Sequence, residues 1–278
     1  MFDRIIVSSD DSHFKDFWPV VAKAWNKYFP DKKVCLAFVT DKDENHPTVQ
    51  KLKKWGEVYL FPVQENIPTP NQAKMYRHIL AGMFENDICM IEDIDTIPLQ
   101  KDFVNRILSQ RKKDEILRVG SEIYKGSKEE GKFPTSNLTA ESYIFKKLIN
   151  PKNLSFDELF KTWCNISHFD HKESVNNTPD PTGVFGGFSD ESLMRVLINR
   201  YITDFEGKVC EIERNVNIHA YWIDRSWWGI DINRLKSDTY VICNFLRPIS
   251  QYYPYCEPIF KYIFNDDNIK KTDVLIDV

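Results

Sequence analysis

Short apolar runs alternate with longer amphipathic stretches along the first hundred residues. Two of these stretches, residues 16–29 and 70–84, place apolar side chains at helical spacing, and Pro47 to Gly56 has the proline start and glycine end of a short helix. The apolar runs have the length of buried strands, and they are residues 4–8, 34–39, 58–63 and 88–91. This alternation predicts an α/β fold with a mainly parallel central sheet.

The pattern is less regular from residue 101 onward. It predicts a basic amphipathic helix, a strand, two further helices, a second strand and an aromatic helix. In order, these are residues 101–113, 115–124, 154–166, about 189–202, 238–246 and 252–264. We expect the 278 residues to form one domain.

An acidic segment follows the apolar run Ile88 to Ile91, and it contains Glu92, Asp93 and Asp95. If the strand continues, Asp93 and Asp95 project from the same face, and Pro98 ends it. Two neighbouring carboxylates repel each other unless a cation lies between them, and Mg²⁺ or Mn²⁺ prefers such oxygen ligands. The segment therefore predicts a metal site; the alternative is a solvated acidic turn after a core strand.

Other polar segments fall at the same edge of the predicted sheet. The segments 8–12 and 40–45 follow the first two strands, and ligands of parallel sheets bind beyond the carboxyl ends of the strands. On the helix 70–84, Lys74 and Arg77 share one face. These cations are placed to reach a diphosphate, unless they belong to an ordinary solvated face. A nucleotide-like ligand with a metal is the prediction.

These features resemble the GT-A-fold glycosyltransferases, in which an Asp-x-Asp motif follows an apolar strand. The resemblance rests on the segment from Glu92 to Leu99 and on its position in the chain, and it implies a GT-A-like (Rossmann-like) αβα sandwich. It also implies that Ser8, Ser9 and Asp10 bind the nucleotide of a nucleoside-diphosphate sugar. By the same resemblance, Asp93 contacts the sugar-nucleotide, and Asp93 and Asp95 hold Mn²⁺ or Mg²⁺.

A glycine-rich segment, residues 183–187, precedes Asp190 and Glu191. The segment resembles the acidic pair that inverting GT-A enzymes place at a helix start, where one carboxylate takes the proton of the acceptor hydroxyl. Helix capping alone is the alternative role of Asp190. His219 matches by position a late histidine that many GT-A enzymes use as a further metal ligand, although a hydrogen-bonded core histidine would look the same. The resemblance thus implies a nucleotide-sugar half in 1–100, an acceptor half in 101–250 and a C-terminal helix and tail in 251–278.

The amino-acid composition limits the kinds of partner and the location that we expect for this protein. The formal net charge of −4 makes a nucleic-acid partner unexpected, and no apolar run approaches the roughly 18 residues of a membrane span. The six cysteines lack paired spacing, and the N-terminus lacks a signal-peptide pattern, so we expect reduced thiols and a cytoplasmic protein.

The function expected from the sequence is metal-dependent transfer of a hexosyl or pentosyl group to a glycan or another hydroxyl acceptor, with inversion of configuration. Two alternatives stay open. One is a phosphohydrolase of the haloacid-dehalogenase type, in which Asp93 attacks phosphate and Asp95 protonates the leaving group. The other is a non-catalytic sugar-binding or assembly protein.

Overall fold

Helices cover both faces of the central sheet in a computed structural model, which describes residues 1–65, 67–120, 122, 133–163, 189–213 and 221–276. The strands are β1 (Arg4–Asp10), β2 (Lys33–Val39), β3 (Glu57–Phe61), β4 (Ile88–Ile91), β5 (Thr96–Pro98), β6 (Glu115–Val119), β7 (Leu138–Glu141), β8 (Lys208–Ile212), β9 (Trp222–Ile223) and β10 (Ile242–Asn244). The helices are α1 (Trp18–Tyr28), α2 (Pro47–Lys53), α3 (Thr69–Ala81), α4 (Lys101–Leu108), α5 (Ser142–Ile149), α6 (156–163), α7 (Ser189–Phe205), α8 (Ile232–Lys236), α9 (Ile249–Phe264) and α10 (Lys271–Val274).

The central sheet has the strand order β3-β2-β1-β4-β7-β6-β8. Only β7 among these seven described strands runs against the others, since it pairs antiparallel with both β4 and β6. The prediction of a mainly parallel sheet is therefore confirmed. A second, three-stranded sheet has the order β5-β10-β9, and four residues separate the end of β4 from the start of β5. The acidic segment thus lies where the chain passes from one sheet to the other.

Each face of the central sheet has its own apolar core. In β1, Ile5 and Val7 point into the core beneath α1, α4 and α9, whereas Ile6 points into the core beneath α3, α5 and α7. This alternation is the two-residue period of a strand buried on both sides. Together the layers form an αβα sandwich.

Several elements differ from their predicted limits. β1 continues through Ser8, Ser9 and Asp10, because β2 supplies backbone partners as far as Val39, so these polar residues belong to a buried strand end and not to a loop. β8 was not predicted at all, since its half-exposed residues show no clear apolar period. The strand predicted over 115–124 ends at Val119, and 238–246 contains a strand of only three residues.

The described cysteines are all free, which agrees with the prediction of reduced thiols. Within the described residues, no helix combines the length and the apolar character that crossing a lipid bilayer requires.

We expect Gly56→Ala to destabilise the protein by about 1–3 kcal/mol, because the added methyl group would lie 2.7 Å from the Trp18 ring and 2.8 Å from the Val34 carbonyl oxygen. Trp18 cannot move away cheaply, since it is fully buried and its Nε1 donates to the Leu52 carbonyl at 2.8 Å. Urea denaturation measures the change. Gly229→Ala is the control, because nothing lies within 4 Å of its added methyl group; equal losses in the two variants would contradict the packing account.

Candidate active site

A cleft of about 180 Å³ lies at the carboxyl ends of β1 and β4, between α3 and the first turn of α7. Every predicted site residue of the described chain lines it, and His219 lies outside the described residues. The predicted lining residues are Ser8, Ser9, Asp10, Lys74, Arg77, Asp93, Asp95, Asp190 and Glu191, and the further ones are Phe14, Pro70, Ala73, Ile94, Thr135, Arg225 and Arg247. Four distant parts of the chain that were predicted separately thus meet in one cleft.

The two aspartates of the acidic segment lie in a turn and not in a strand. Residues 92–95 connect β4 to β5, and the Thr96 amide donates to the Asp93 carbonyl at 3.1 Å. The Asp93 amide donates to the Glu92 side chain at 2.9 Å. The expectation that strand geometry aligns Asp93 and Asp95 is therefore wrong. Each carboxylate reaches the cleft with its own set of partners.

Arg77 joins three segments at the bottom of the cleft. Its Nη1 donates to Asp93 Oδ1 at 2.6 Å and to the Glu92 carbonyl at 3.1 Å, and its Nη2 donates to Asp190 Oδ2 at 2.8 Å. Thr135 Oγ1 accepts from Nη2 at 2.7 Å and donates to Asp190 at 2.9 Å. Only 5% of the Arg77 side chain is exposed, so the alternative of a solvated face is excluded for this residue.

These contacts set the charge of both carboxylates. Burial by itself raises the pKa of Asp190, but attraction to Lys74 and Arg77, together with the hydrogen bond from Thr135, outweighs burial and lowers the pKa to about 2. Burial likewise opposes ionisation of Asp93, and Arg77 again lowers the pKa below its ordinary value. Both groups are therefore ionised at neutral pH.

His78 lies beside this cluster on α3. It is fully buried, and neither ring nitrogen has a hydrogen-bond partner within the described chain. Burial and the neighbouring Arg77 charge lower its pKa to about 3, so the imidazole is neutral at physiological pH.

Asp95 is held by a different pair of cations. Its Oδ2 accepts from Arg225 Nη1 at 2.7 Å and from Arg247 Nε. The other oxygen, Oδ1, is buried and has no hydrogen-bond partner within the described residues. A carboxylate that accepts from two guanidinium groups has the contacts of an ionised acid, not of a proton donor.

The small sheet places both arginines. Arg225 opens a short 3-10 helix two residues after β9, and Arg247 lies three residues after β10. The side chain of Asn244, the last residue of β10, links the other two strands: it donates to Asp224, directly after β9, at 3.0 Å and accepts from the Thr96 hydroxyl in β5 at 2.9 Å. The small sheet, whose strand β5 follows the acidic turn, therefore also positions the two cations that pair with Asp95.

The carboxylate of Asp10 is also satisfied within the protein. Its Oδ1 accepts from the Ser12 hydroxyl at 2.5 Å, and its Oδ2 accepts from the Thr69 hydroxyl at 2.7 Å. Beyond it, the Phe14 ring lines the cleft, with the Arg247 guanidinium carbon 5.4 Å from its centroid. This end of the cleft therefore offers an aromatic face beside a cation.

The described residues fit a divalent cation in part. Asp93 and Asp95 supply hard oxygen ligands, and the unpartnered Oδ1 of Asp95 is an acceptor that a metal ion would satisfy. No group of three or more His, Cys, Asp or Glu side chains in the described part of the chain is arranged to hold a metal ion. His219, the third predicted ligand, is outside that part.

Sequence reasoning missed Arg225, Arg247, Phe14 and Thr135. Arg247 carried a usable signal, since it directly follows the apolar run that contains β10 and precedes a proline. Arg225 and Thr135 carried none, because a two-residue strand and an irregular connection have no period from which to place a side chain.

Two structures of LgtC are among the solved structures that resemble the whole chain. A galactosyltransferase LgtC in complex with donor and acceptor sugar analogues has a TM-score of 0.53 and 11% identity, with 97% of this chain and 98% of the other covered. An active-site mutant of LgtC has a TM-score of 0.52 and 14% identity over the same shares. At such low identity the likeness establishes a common fold, so the prediction of a GT-A-like fold is confirmed. No protein-family model matches the sequence, and no curated protein is significantly similar to it.

We expect Asp190→Asn to remove part of the loss of stability in acid. Since the pKa of Asp190 is lower in the folded chain than in the unfolded one, its charge stabilises the fold above pH 4, and this contribution disappears as pH falls to about 2. Relative to the variant, the wild type should lose about 2 kcal/mol of unfolding free energy over that interval. Urea denaturation between pH 5 and 2 measures this.

Asp204→Asn is the matched control, because Asp204 is exposed near the other end of the same helix. Parallel pH dependence of wild type and Asp190→Asn would contradict the ion pair.

Proposed function

We propose that the chain is a glycosyltransferase that takes a sugar from a nucleoside-diphosphate sugar and transfers it to a hydroxyl acceptor. One observation carries the proposal: the described residues that were predicted to bind nucleotide, diphosphate and metal line one cleft at the carboxyl edge of the sheet. The common fold with LgtC supports it. The acceptor as a glycan, the sugar as a hexose or pentose and the cytoplasmic location stay predictions from the sequence.

Different parts of the cleft would bind the nucleoside and the diphosphate of such a donor. Ser8, Ser9 and Asp10 lie at the end of β1 for the nucleoside, and Phe14 offers a flat apolar surface on which a base can stack. Lys74, Arg225 and Arg247 supply cations for the diphosphate.

A divalent metal belongs to this proposal. Asp93 and Asp95 would hold Mn²⁺ or Mg²⁺, with His219 as the third predicted ligand. When bound, such an ion supplies positive charge that stabilises a leaving diphosphate. The residues that line the cleft would then position the diphosphate of the donor next to the metal ion.

The environment distinguishes the two candidate bases. Asp190 is committed to Arg77 and Thr135, and with a pKa of about 2 it accepts a proton poorly. Its place in the network is that of a positioning residue for Arg77. Glu191 is half-buried on the cleft wall, so for the inverting mechanism we propose Glu191 as the base.

The phosphohydrolase alternative finds less support. It requires Asp93 as a free nucleophile and Asp95 as a proton donor, whereas Asp93 is paired with Arg77 and Asp95 accepts from two arginines. No contact favours it over sugar transfer.

Calorimetric titration with UDP, GDP and their sugars, with and without Mn²⁺, tests the donor site. We expect one nucleotide to bind with Mn²⁺, and Asp95→Asn to weaken that binding at least about tenfold, because an anionic metal ligand becomes a neutral amide. Asp102→Asn, an exposed acid on α4, should bind as the wild type does. If the wild type binds none of these nucleotides, the glycosyltransferase proposal fails.

Turnover of the donor so identified tests the base. We expect the first-formed product to have inverted anomeric configuration by proton NMR, and Glu191→Gln to lower kcat by roughly 10²–10⁴. Glu85→Gln, which removes an exposed carboxylate elsewhere, should leave kcat unchanged. A product with retained configuration would exclude the inverting mechanism, and nucleotide binding without any transfer would favour the non-catalytic alternative.

A further inference from the structure

Asp95 is covered although it lines the cleft. Its side chain is only 1% exposed, whereas the two arginines that contact it are 40% and 35% exposed. The guanidinium groups therefore lie between this carboxylate and the solvent of the cleft. We define Arg225 and Arg247 as the arginine pair.

The arginine pair and a metal ion compete for the same group. Two guanidinium groups and a divalent cation cannot all crowd onto the acidic turn without strong repulsion. Oδ1 of Asp95 is buried and has no hydrogen-bond partner among the described residues, so a metal ion would supply a contact that this oxygen lacks.

The displaced arginines then need another anion. Both line the cleft, Arg247 on the side of Phe14, and an arginine fork matches the oxygens of a diphosphate. A nucleoside diphosphate thus supplies the partner that the pair loses to the metal. Such an exchange keeps every one of these charges paired before and after binding.

We propose that the arginine pair is an exchangeable cover on Asp95, which excludes the metal from the empty cleft and passes to the diphosphate when metal and donor bind together. This inference rests on the proposed function for both its metal and its diphosphate. It makes metal binding weak alone and strong with the nucleotide, so that the two ligands bind cooperatively.

The test uses Mn²⁺ alone and then UDP or GDP with saturating Mn²⁺, titrated calorimetrically into wild type and Arg225→Gln/Arg247→Gln. The double variant should bind Mn²⁺ alone about tenfold more tightly, because the cover on Asp95 is removed. It should bind the nucleotide about tenfold more weakly, because two hydrogen-bond donors to the diphosphate are removed. The opposite signs distinguish exchange from structural damage, which would weaken both.

Arg106→Gln/Arg200→Gln is the charge-matched control, since both side chains are exposed outside the cleft, and it should change neither affinity. The single variants Arg225→Gln and Arg247→Gln each keep one guanidinium on Asp95. If the double variant does not fold, these single variants test whether the arginine pair excludes the metal. They should tighten Mn²⁺ binding by about threefold.

Unchanged or weaker binding of Mn²⁺ alone in the folded variants would overturn the inference. A gain in Mn²⁺ affinity without nucleotide binding by the wild type would uphold the cover while the glycosyltransferase proposal fails. If the wild type binds the nucleotide but the variants bind Mn²⁺ alone with unchanged affinity, the cover is overturned while the glycosyltransferase proposal stands.

Discussion

The arrangement of the cleft depends on the buried guanidinium group of Arg77. It holds α3, the acidic turn and the start of α7 together through Asp93 and Asp190. Burying this cation is tolerable because two carboxylates pair with it, and removing it would leave the buried Asp190 and the partly exposed Asp93 without that partner. The position of each acid is therefore set by one side chain between them.

The same need for pairing explains the second half of the cleft. Asp95 lies two residues after Asp93, yet its partners come from the connections that follow β9 and β10. Five acids and four bases line the cleft, so its charges are nearly balanced without any ligand. A ligand that brings both a diphosphate and a metal preserves that balance by exchanging partners, whereas either one alone disturbs it.

Much of the fold could be predicted because its signals are local. β4 was predicted over the same residues that the structure shows, and the ends of α3 and α7 lie within a few residues of their predicted positions. The limits of the strands in the second sheet could not be predicted, because two or three residues carry no readable period. β1 and β8 likewise have limits that only their neighbouring strands decide.

The sequence by itself determined that strands and helices alternate and that polar residues gather at one edge, since apolar spacing and chain direction are local properties. It therefore also indicated most residues of the cleft. Only the tertiary structure decided which charges meet: Arg77 contacts carboxylates 16 and 113 residues away, and the cations on Asp95 come from 130 and 152 residues away. Such pairings follow from how the layers pack, because sequence spacing says nothing about which distant side chains share a buried space.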